Sequence, residues 1–297
     1  MSPKRADKIA TGVIYGIVGI ICAILLFIIA HVLIKGLPSI SLGFLTKPAE
    51  SFQAGGGIGP QIFNSLYLLV ITLVISIPIS LGSAIYLTEY APKNKLTSAV
   101  KTSVEVLSSL PSIVVGLFGF LLFVIYFGWS FSILSGALTL TIFNLPTLVR
   151  VMQQSLASVP DSQREGTLAL GLTRWECSKY ILIPSALPGI ITGVILCAGR
   201  IFGEAAALIY TAGQSAPALD FTSLDITSPS NPWNLMRPAE TLAVHIWKVN
   251  SEGITPDAVD ISNGSAAVLI IAILIFNILA RYLGKVLYKK MTGGASK

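Results

Sequence analysis

Two ionisable residues stand inside an otherwise apolar stretch of the chain. Arg200 and Glu204 lie in GRIFGEAAALIYTAG, residues 199–213, with Glu204 four positions after Arg200. On a continuous helix, this spacing places both side chains on one face. A guanidinium presents a planar fork of N–H donors to phosphate oxygens, and a carboxylate can accept a hydrogen bond from a phosphate hydroxyl. The chemistry indicated is transient binding of an oxyanion.

Two interpretations of the Arg200–Glu204 pair stay open at this stage. Arg200 follows Pro188 by twelve residues, about 18 Å along a helix, so it lies near the middle of an apolar layer about 30 Å thick. A charge there costs at least about 2.5–3.5 kcal/mol and therefore faces protein or water. The pair either neutralises itself as a structural ion pair or forms an oxyanion site. The two are compatible, because Glu204 can hold Arg200 until an anion arrives.

No other residue pattern in the sequence indicates catalysis or metal binding. There is no G-x-x-x-x-G-K-[ST] run, and His31 and His245 have no partners at catalytic or metal spacing. The three cysteines, Cys22, Cys177 and Cys197, show neither metal nor disulfide spacing. We therefore predict a protein with no catalytic residue, no metal and no cofactor of its own.

The composition places these residues in a helical membrane protein. Of 297 residues, 53% are hydrophobic and only 11% are charged, whereas a soluble domain has about 25% charged residues. Six apolar runs approach the roughly 20 residues that cross a bilayer. We predict one all-α domain over residues 1–297, a polytopic bundle of six transmembrane helices. The predicted spans are about 10–34, 62–88, 110–128, 131–150, 188–212 and 264–288.

The basic residues predict which side of the membrane each loop occupies. Of the 20 Lys and Arg residues, fifteen lie in the two termini and in the segments 89–110 and 150–187, while the other side holds four. The positive-inside rule places both termini in the cytoplasm. The 213–263 segment is then extracytoplasmic. The net charge of +6 lies beside apolar spans without interleaved aromatic residues, which argues against a nucleic-acid partner.

Residues 160–184, here called the coupling element, are too charged to lie in hydrocarbon. Pro160 and Asp161 are typical of a helix start, and Gly171 is placed to end that helix in the left-handed conformation. Thr173 and Glu176 have capping-box spacing, which predicts a second helix to Pro184. The predicted form is helix, tight turn, helix, then the fifth span, with Ser185 capping that span.

The coupling element resembles the EAA loop of ABC importer permeases, whose pattern is E-A-A, three residues, G, nine residues, I-x-L-P. The matching positions are Glu165, Gly171, Ile181, Ile183 and Pro184. The chain departs from the pattern where Gly166 and Thr167 replace the alanines and Ile183 replaces the leucine. The spacing itself is intact.

Four further segments resemble phosphate-import permeases, and the last resembles the PstA-type subunit more than its PstC-type partner. They are GGGIGPQIFNSLYLL, AIYLTEYAP, SSLPSIVVGLFG and GRIFGEAAALIYTAG. The resemblance implies a bacterial or archaeal plasma membrane protein embedded in lipid. It also implies a homologous PstC-type permease, two ATPase subunits that bind ATP and Mg²⁺, and an extracytoplasmic phosphate-binding protein as partners.

The function expected from this resemblance is phosphate import, with two alternatives. The first is a permease for another oxyanion, such as molybdate or sulfate. The second, from a different class, is a membrane scaffold or sensor that transports nothing. In the expected mechanism, the coupling element transmits the movement of the ATPases to the helices.

Overall fold

The computed structural model describes residues 3–50 and 53–291, and within these ranges the regular structure is entirely helical. This confirms the predicted fold class. Lys297, which the charge count assigned to the cytoplasmic tail, lies outside the described residues. The helices are α1 (Pro3–Gly36), α2 (Leu42–Thr46), α3 (Gly59–Ile85), α4 (Lys95–Ser108), α5 (Ser112–Gly119), α6 (Ile133–Ala157), α7 (Asp161–Ala169), α8 (Arg174–Cys177), α9 (Ile183–Phe202), α10 (Ala206–Thr211), α11 (Leu242–Glu252) and α12 (Ala258–Met291).

Three π-helical segments extend these helices. They follow α3 (Tyr86–Tyr90), follow α5 (Phe120–Tyr126), and join α8 to α9 (Ser178–Leu182). The described residues then contain five helices long and apolar enough to cross a membrane, and a sixth if α4 and α5 are counted together.

The third predicted span, 110–128, corresponds to α5 and its π-helical extension. The preceding α4 meets this unit at an angle of 99°. The bend coincides with Pro111, whose backbone is extended. A proline disfavours helical backbone in the residue before it, so α4 cannot continue straight into α5.

The core of the bundle is built around α6, which packs between α3 and α9. Leu140, Leu148 and Met152 of α6 are fully buried. By contrast, α1 is exposed over nearly its whole apolar length and packs mainly against α12. An apolar helix with so little protein cover is suited to contact with lipid.

Both predicted bounds of the fifth span, 188–212, differ from the bounds of the helix in the structure. The helical rod begins at Arg174 in the coupling element and runs to Phe202, where the helix breaks before α10. Ser185 does not cap this rod. The π-helical turn ends at Leu182, two residues before Pro184, which has no N–H to donate; a π-turn is one of the backbone adjustments that accommodates such a loss.

A close backbone approach holds α5 against α10, beside the break. A Cβ atom added to Gly116 would lie 2.6 Å from the Cα of Ala207, whereas one added to Gly82 meets nothing within 4 Å. Small residues at such crossings let membrane helices pack closely.

We expect Gly116→Ala to destabilise the purified chain by about 1–3 kcal/mol, because the two backbones must separate to admit the methyl group. The measurement is thermal unfolding in detergent. Gly82→Ala is the matched control: it adds the same methyl group in open space and is expected to be neutral or slightly stabilising. Equal melting temperatures for the two variants would contradict the packing argument.

The predicted extracytoplasmic segment, 213–263, is folded. It contains α11, and α12 already begins at Ala258. Gly253 ends α11 in the left-handed conformation, with φ of 59°. The segment packs against the beginning of α3, where Arg237 donates a hydrogen bond to Asn64.

Candidate functional site

Arg200 projects from α9 toward α6. Its guanidinium carbon lies 3.7 Å from the centre of the Phe143 ring, and Nη1 is 3.5 Å from the Thr147 hydroxyl. The side chain is half-buried. A cation placed over an aromatic face is stabilised by the ring's negative potential. This contact orients the guanidinium, and within the described part of the chain Thr147 is the acceptor found for its N–H donors.

Glu204 does not share a helical face with Arg200, and the predicted pair is not formed. The helix ends at Phe202, and the buried Glu204 carboxylate accepts a hydrogen bond from the backbone N–H of Ala207, at 3.1 Å. Among the described residues, no carboxylate oxygen lies within 4.0 Å of a guanidinium nitrogen of Arg200. The i,i+4 prediction is wrong because Gly203 ends the helix between the two residues.

This arrangement separates the roles of the two residues. Glu204 stabilises the first turn of α10, where unpaired backbone N–H groups need acceptors. Arg200 lies at the end of α9 next to a break in the helix, with no carboxylate of the described residues within ion-pair distance. A guanidinium without a carboxylate partner has donors available for an anion.

The coupling element has the predicted helix–turn–helix form at its start. Helix α7 covers Asp161–Ala169, and Gly171 is left-handed with φ of 85°. The capping box is complete: Thr173 Oγ1 accepts from the Glu176 N–H at 3.2 Å, and the Glu176 carboxylate accepts from the Thr173 N–H at 2.8 Å. These interactions are local, which is why spacing alone predicted them.

The residues that match the EAA pattern divide into exposed and packed positions. Glu165, Gly166 and Gly171 are exposed. Thr167 is buried, and its hydroxyl donates to the Gln163 carbonyl at 2.6 Å. The remaining three, Ile181, Ile183 and Pro184, lie at the junction with α9 and are half-buried or buried.

Large apolar side chains remain uncovered on the same element. Leu170 is 82% exposed, and Trp175 and Tyr180 are each more than half exposed. Glu165 is exposed on the same element. Exposed aromatic residues and leucines are common in contact surfaces for other proteins.

Glu89, which sequence reasoning did not single out, connects the coupling element to α3. Its carboxylate is 6% exposed and lies 2.9 Å from Nη2 of Arg164 on α7. Its backbone carbonyl accepts a hydrogen bond from Nη1 of Arg174, at 3.2 Å. Both coupling helices therefore contact the end of the second span. The available signal was an acid at the end of an apolar helix, in AIYLTEYAP.

A second contact joins α7 to the beginning of α9. The hydroxyl of Ser185 lies 3.3 Å from the side-chain oxygen of Gln163, within hydrogen-bond distance. Because α8 continues through the π-helical turn into α9, the coupling element contacts two long helices. It contacts α3 through Glu89 and α9 through Ser185.

The far end of the bundle contains a buried polar network. Arg237 is only 1% exposed, and its Nη2 donates to Asn64 Oδ1 at 2.8 Å and to the Pro232 carbonyl at 3.1 Å. Burial lowers the pKa of Arg237 to about 10, which leaves the guanidinium charged at neutral pH. In the sequence, Arg237 is one of the four bases assigned to the outer side of the membrane. In the structure, its hydrogen bonds to Asn64 and Pro232 join the 213–241 segment to α3.

His245 takes part in a second group of buried polar contacts. Its Nδ1 lies 3.2 Å from Glu240 Oε1, and Gln61 donates to Glu240 Oε2 at 3.0 Å. The Lys248 ammonium is 3.8 Å from the same carboxylate. Four polar residues from α3, α11 and the preceding loop are thus joined in one network.

We expect Arg237→Met to lower the stability of the purified chain by about 2–3 kcal/mol, because it leaves the buried oxygens of Asn64 and Pro232 without their donor. Thermal unfolding in detergent measures the change. Lys47→Met removes an exposed base from the same side of the protein and is expected to be neutral. A similar melting temperature for both variants would mean that the Arg237 contacts contribute no stability.

The fold and these contacts define a class of membrane protein, and comparison with known families agrees. Residues 76–293 match the family model described as binding-protein-dependent transport system inner membrane component. The chain belongs to this family, the inner-membrane permeases of ABC importers. It is therefore an integral membrane protein with several membrane-spanning helices.

Among its relatives, a probable ABC transporter permease protein, YqgI of Bacillus subtilis (strain 168), is 51% identical over 292 residues, covering 98% of this chain and 99% of that protein. The phosphate transport system permease protein PstA of Yersinia pestis is 33% identical over 264 residues, covering 86% of this chain and 82% of that one. PstA 2 of Mycobacterium bovis is 33% identical over 232 residues, covering 78% and 73%. These relatives confirm the resemblance to PstA-type permeases.

Solved structures share the fold at low sequence identity. A chain of the bacterial alginate ABC transporter, in complex with an alginate pentasaccharide-bound periplasmic protein, aligns with a TM-score of 0.64, 14% identity and coverage of 96% of both chains. A chain of the inward-facing MetNI methionine ABC transporter aligns with a TM-score of 0.55 and 17% identity, covering 77% of this chain and 93% of that one. The ABC importer permease fold is thereby established.

Proposed function

We propose that this chain is a permease subunit of an ATP-driven importer of inorganic phosphate and forms part of the translocation path. The observation that carries the proposal is Arg200, a half-buried guanidinium that contacts Phe143 and Thr147 and has no carboxylate partner among the residues that the structure describes. The names of the PstA relatives support phosphate as its anion. A transient site suits a permease, which must release its ion as readily as it binds it.

In the proposed mechanism, this chain changes conformation while partner subunits hydrolyse ATP. Two ATPase subunits bind ATP and Mg²⁺ and contact the exposed surface of the coupling element at Glu165, Leu170 and Trp175. Their closure displaces α7 and α8. The displacement reaches α3 through Glu89 and reaches Arg200 along α9, which alternates the access of the anion between the two sides.

The proposed orientation places both termini and the coupling element in the cytoplasm. The distribution of basic residues supports this orientation. The folded 213–263 segment then faces the outside, where a phosphate-binding protein delivers its ligand. A PstC-type permease supplies the other half of the path. The alginate transporter, solved with its periplasmic protein, is a structural precedent for such an assembly.

The substrate is tested by uptake of radiolabelled phosphate in cells lacking this gene. High-affinity uptake is expected to fall on deletion and to return with the wild-type chain. Molybdate and sulfate uptake, measured in the same cells, are expected to be unchanged. Unchanged phosphate uptake with a loss of another oxyanion would assign the permease to that anion instead.

The partner is tested by crosslinking at Leu170, which is 82% exposed. Leu170→Cys, in a chain whose exposed Cys22 is replaced by serine, is expected to crosslink to the co-purified ATPase. Leu224→Cys is the control, because this residue is 97% exposed but lies in the 213–241 segment. If no ATPase co-purifies or crosslinks at position 170, the non-transporting scaffold becomes the better account.

A further inference from the structure

A basic cavity of about 510 Å³ lies beside the coupling element, between the end of α3, the start of α4, and α6 and α7. Three of its lining residues are cationic: Lys93, Lys101 and Arg164. The neutral polar side chains in its wall are those of Thr88, Asn94, Thr97, Ser98 and Gln153, and no carboxylate is among the residues that line it. This composition fits an anion and disfavours a cation.

The start of α4 adds to the positive potential of the cavity. Asn94 caps this 14-residue helix, its side chain accepting from the Thr97 N–H at 2.9 Å. The first turn contains no acidic residue. The N-terminus of a helix has a partial positive charge and exposed N–H donors, which favour phosphate groups. Asn94, Thr97 and Ser98 all belong to this turn and line the cavity.

Arg164 is incompletely paired in the absence of an anion. Its Nη1 donates to Asp161 and its Nη2 lies 2.9 Å from Glu89, but Nη2 and the buried Nε make no aligned hydrogen bond with the described residues. A buried donor without an aligned acceptor is destabilising. An oxyanion in the cavity can provide the missing acceptor, and Arg164 already lies in its wall.

We propose that this cavity binds a phosphate group beside the coupling element, separately from the translocation path. The group belongs either to inorganic phosphate in solution or to the headgroup of an anionic lipid, since both present the same oxygens to Lys93, Lys101 and Arg164. The amphipathic α4, expected to lie at the membrane surface, brings the cavity to headgroup level. Because Arg164 also contacts Glu89, occupancy of the cavity alters the contact between α7 and α3.

The binding test uses the full chain in a maltoside detergent, which contains no phosphate. Inorganic phosphate binding is measured by calorimetry, in an Arg200→Gln background that removes the proposed translocation site. Phosphatidylglycerol binding is measured by native mass spectrometry, with retained lipid as the readout. Neither measurement requires transport, so failure of the proposed substrate and failure of this site are distinguishable.

The test variant is Lys93→Gln with Lys101→Gln. Its matched control is Lys289→Gln with Lys290→Gln, which removes two exposed charges from the end of α12. The test variant is expected to weaken binding of one ligand at least about tenfold, equivalent to about 1.4 kcal/mol, while the control stays within about twofold of the parent chain. Lys93→Arg with Lys101→Arg is expected to retain binding, which separates lost charge from misfolding.

The ligand affected identifies the source of the phosphate group. Weakened calorimetric binding assigns the site to inorganic phosphate, and reduced lipid retention assigns it to an anionic headgroup. The proposal is overturned if the parent chain binds neither ligand. It is equally overturned if the test variant and the α12 control bind both ligands alike.

Discussion

Replacing Arg200 with glutamine is expected to reduce phosphate uptake at least about 100-fold while the transporter still assembles. Glutamine lacks the positive charge and the five-donor fork, so an anion in the path loses charge-assisted hydrogen bonds worth about 3 kcal/mol in total. The fold should tolerate the change, because the polar contacts of Arg200 with the described residues are weak: a ring contact with Phe143 and a 3.5 Å hydrogen bond to Thr147. Uptake in cells and co-purification of the partner subunits measure the two effects.

Two further variants separate a role in binding from a role in structure. Arg200→Lys keeps the charge but not the planar fork and is expected to give intermediate uptake. Thr147→Val removes the hydrogen bond between Thr147 and Arg200 and is expected to leave most uptake intact. Normal uptake by the Arg200→Gln variant would remove Arg200 from the path.

Replacing Glu89 with glutamine is expected to uncouple ATP hydrolysis from transport. The Glu89 carboxylate, 6% exposed, attracts Arg164 of α7 at 2.9 Å. The Glu89→Gln change leaves Arg164 paired only with Asp161, which lies on α7 itself and is largely exposed. The charge attraction between α7 and α3 is then lost, while the surface of the coupling element proposed to face the ATPase is unchanged. In reconstituted vesicles, phosphate transport per ATP hydrolysed is expected to fall at least about tenfold.

The matched control is Glu105→Gln, which also removes a glutamate paired with an arginine. Glu105 and Arg150 are 3.3 Å apart, but both side chains are about half exposed, and exposed pairs contribute little. This variant is expected to couple normally. A cycle that combines Glu89→Gln with Arg164→Gln should show non-additive effects, since the two residues share one contact. Equal coupling ratios for Glu89→Gln and Glu105→Gln would assign the Glu89 contact no role in transmission.

Charge, hydropathy and short-range spacing were sufficient to predict the helical bundle and the beginning of the coupling element. The capping box at Thr173 and Glu176 and the left-handed turn at Gly171 depend on residues within a few positions of one another. Such interactions follow from local backbone geometry. The same spacing rule misled at Arg200 and Glu204, because i,i+4 neighbours share a face only on an unbroken helix.

Only the tertiary structure decided which polar groups meet across the bundle. Glu89 and Arg164 are far apart in the sequence, as are Asn64 and Arg237, so no local pattern pairs them. In the sequence, nothing distinguishes Arg237 from a solvent-exposed base, whereas in the folded protein its side chain is buried. The sequence alone determined that a charged coupling element precedes the helix that contains Arg200. Folding decided that this element also contacts α3, because packing brings an acid at one helix end against an arginine on α7.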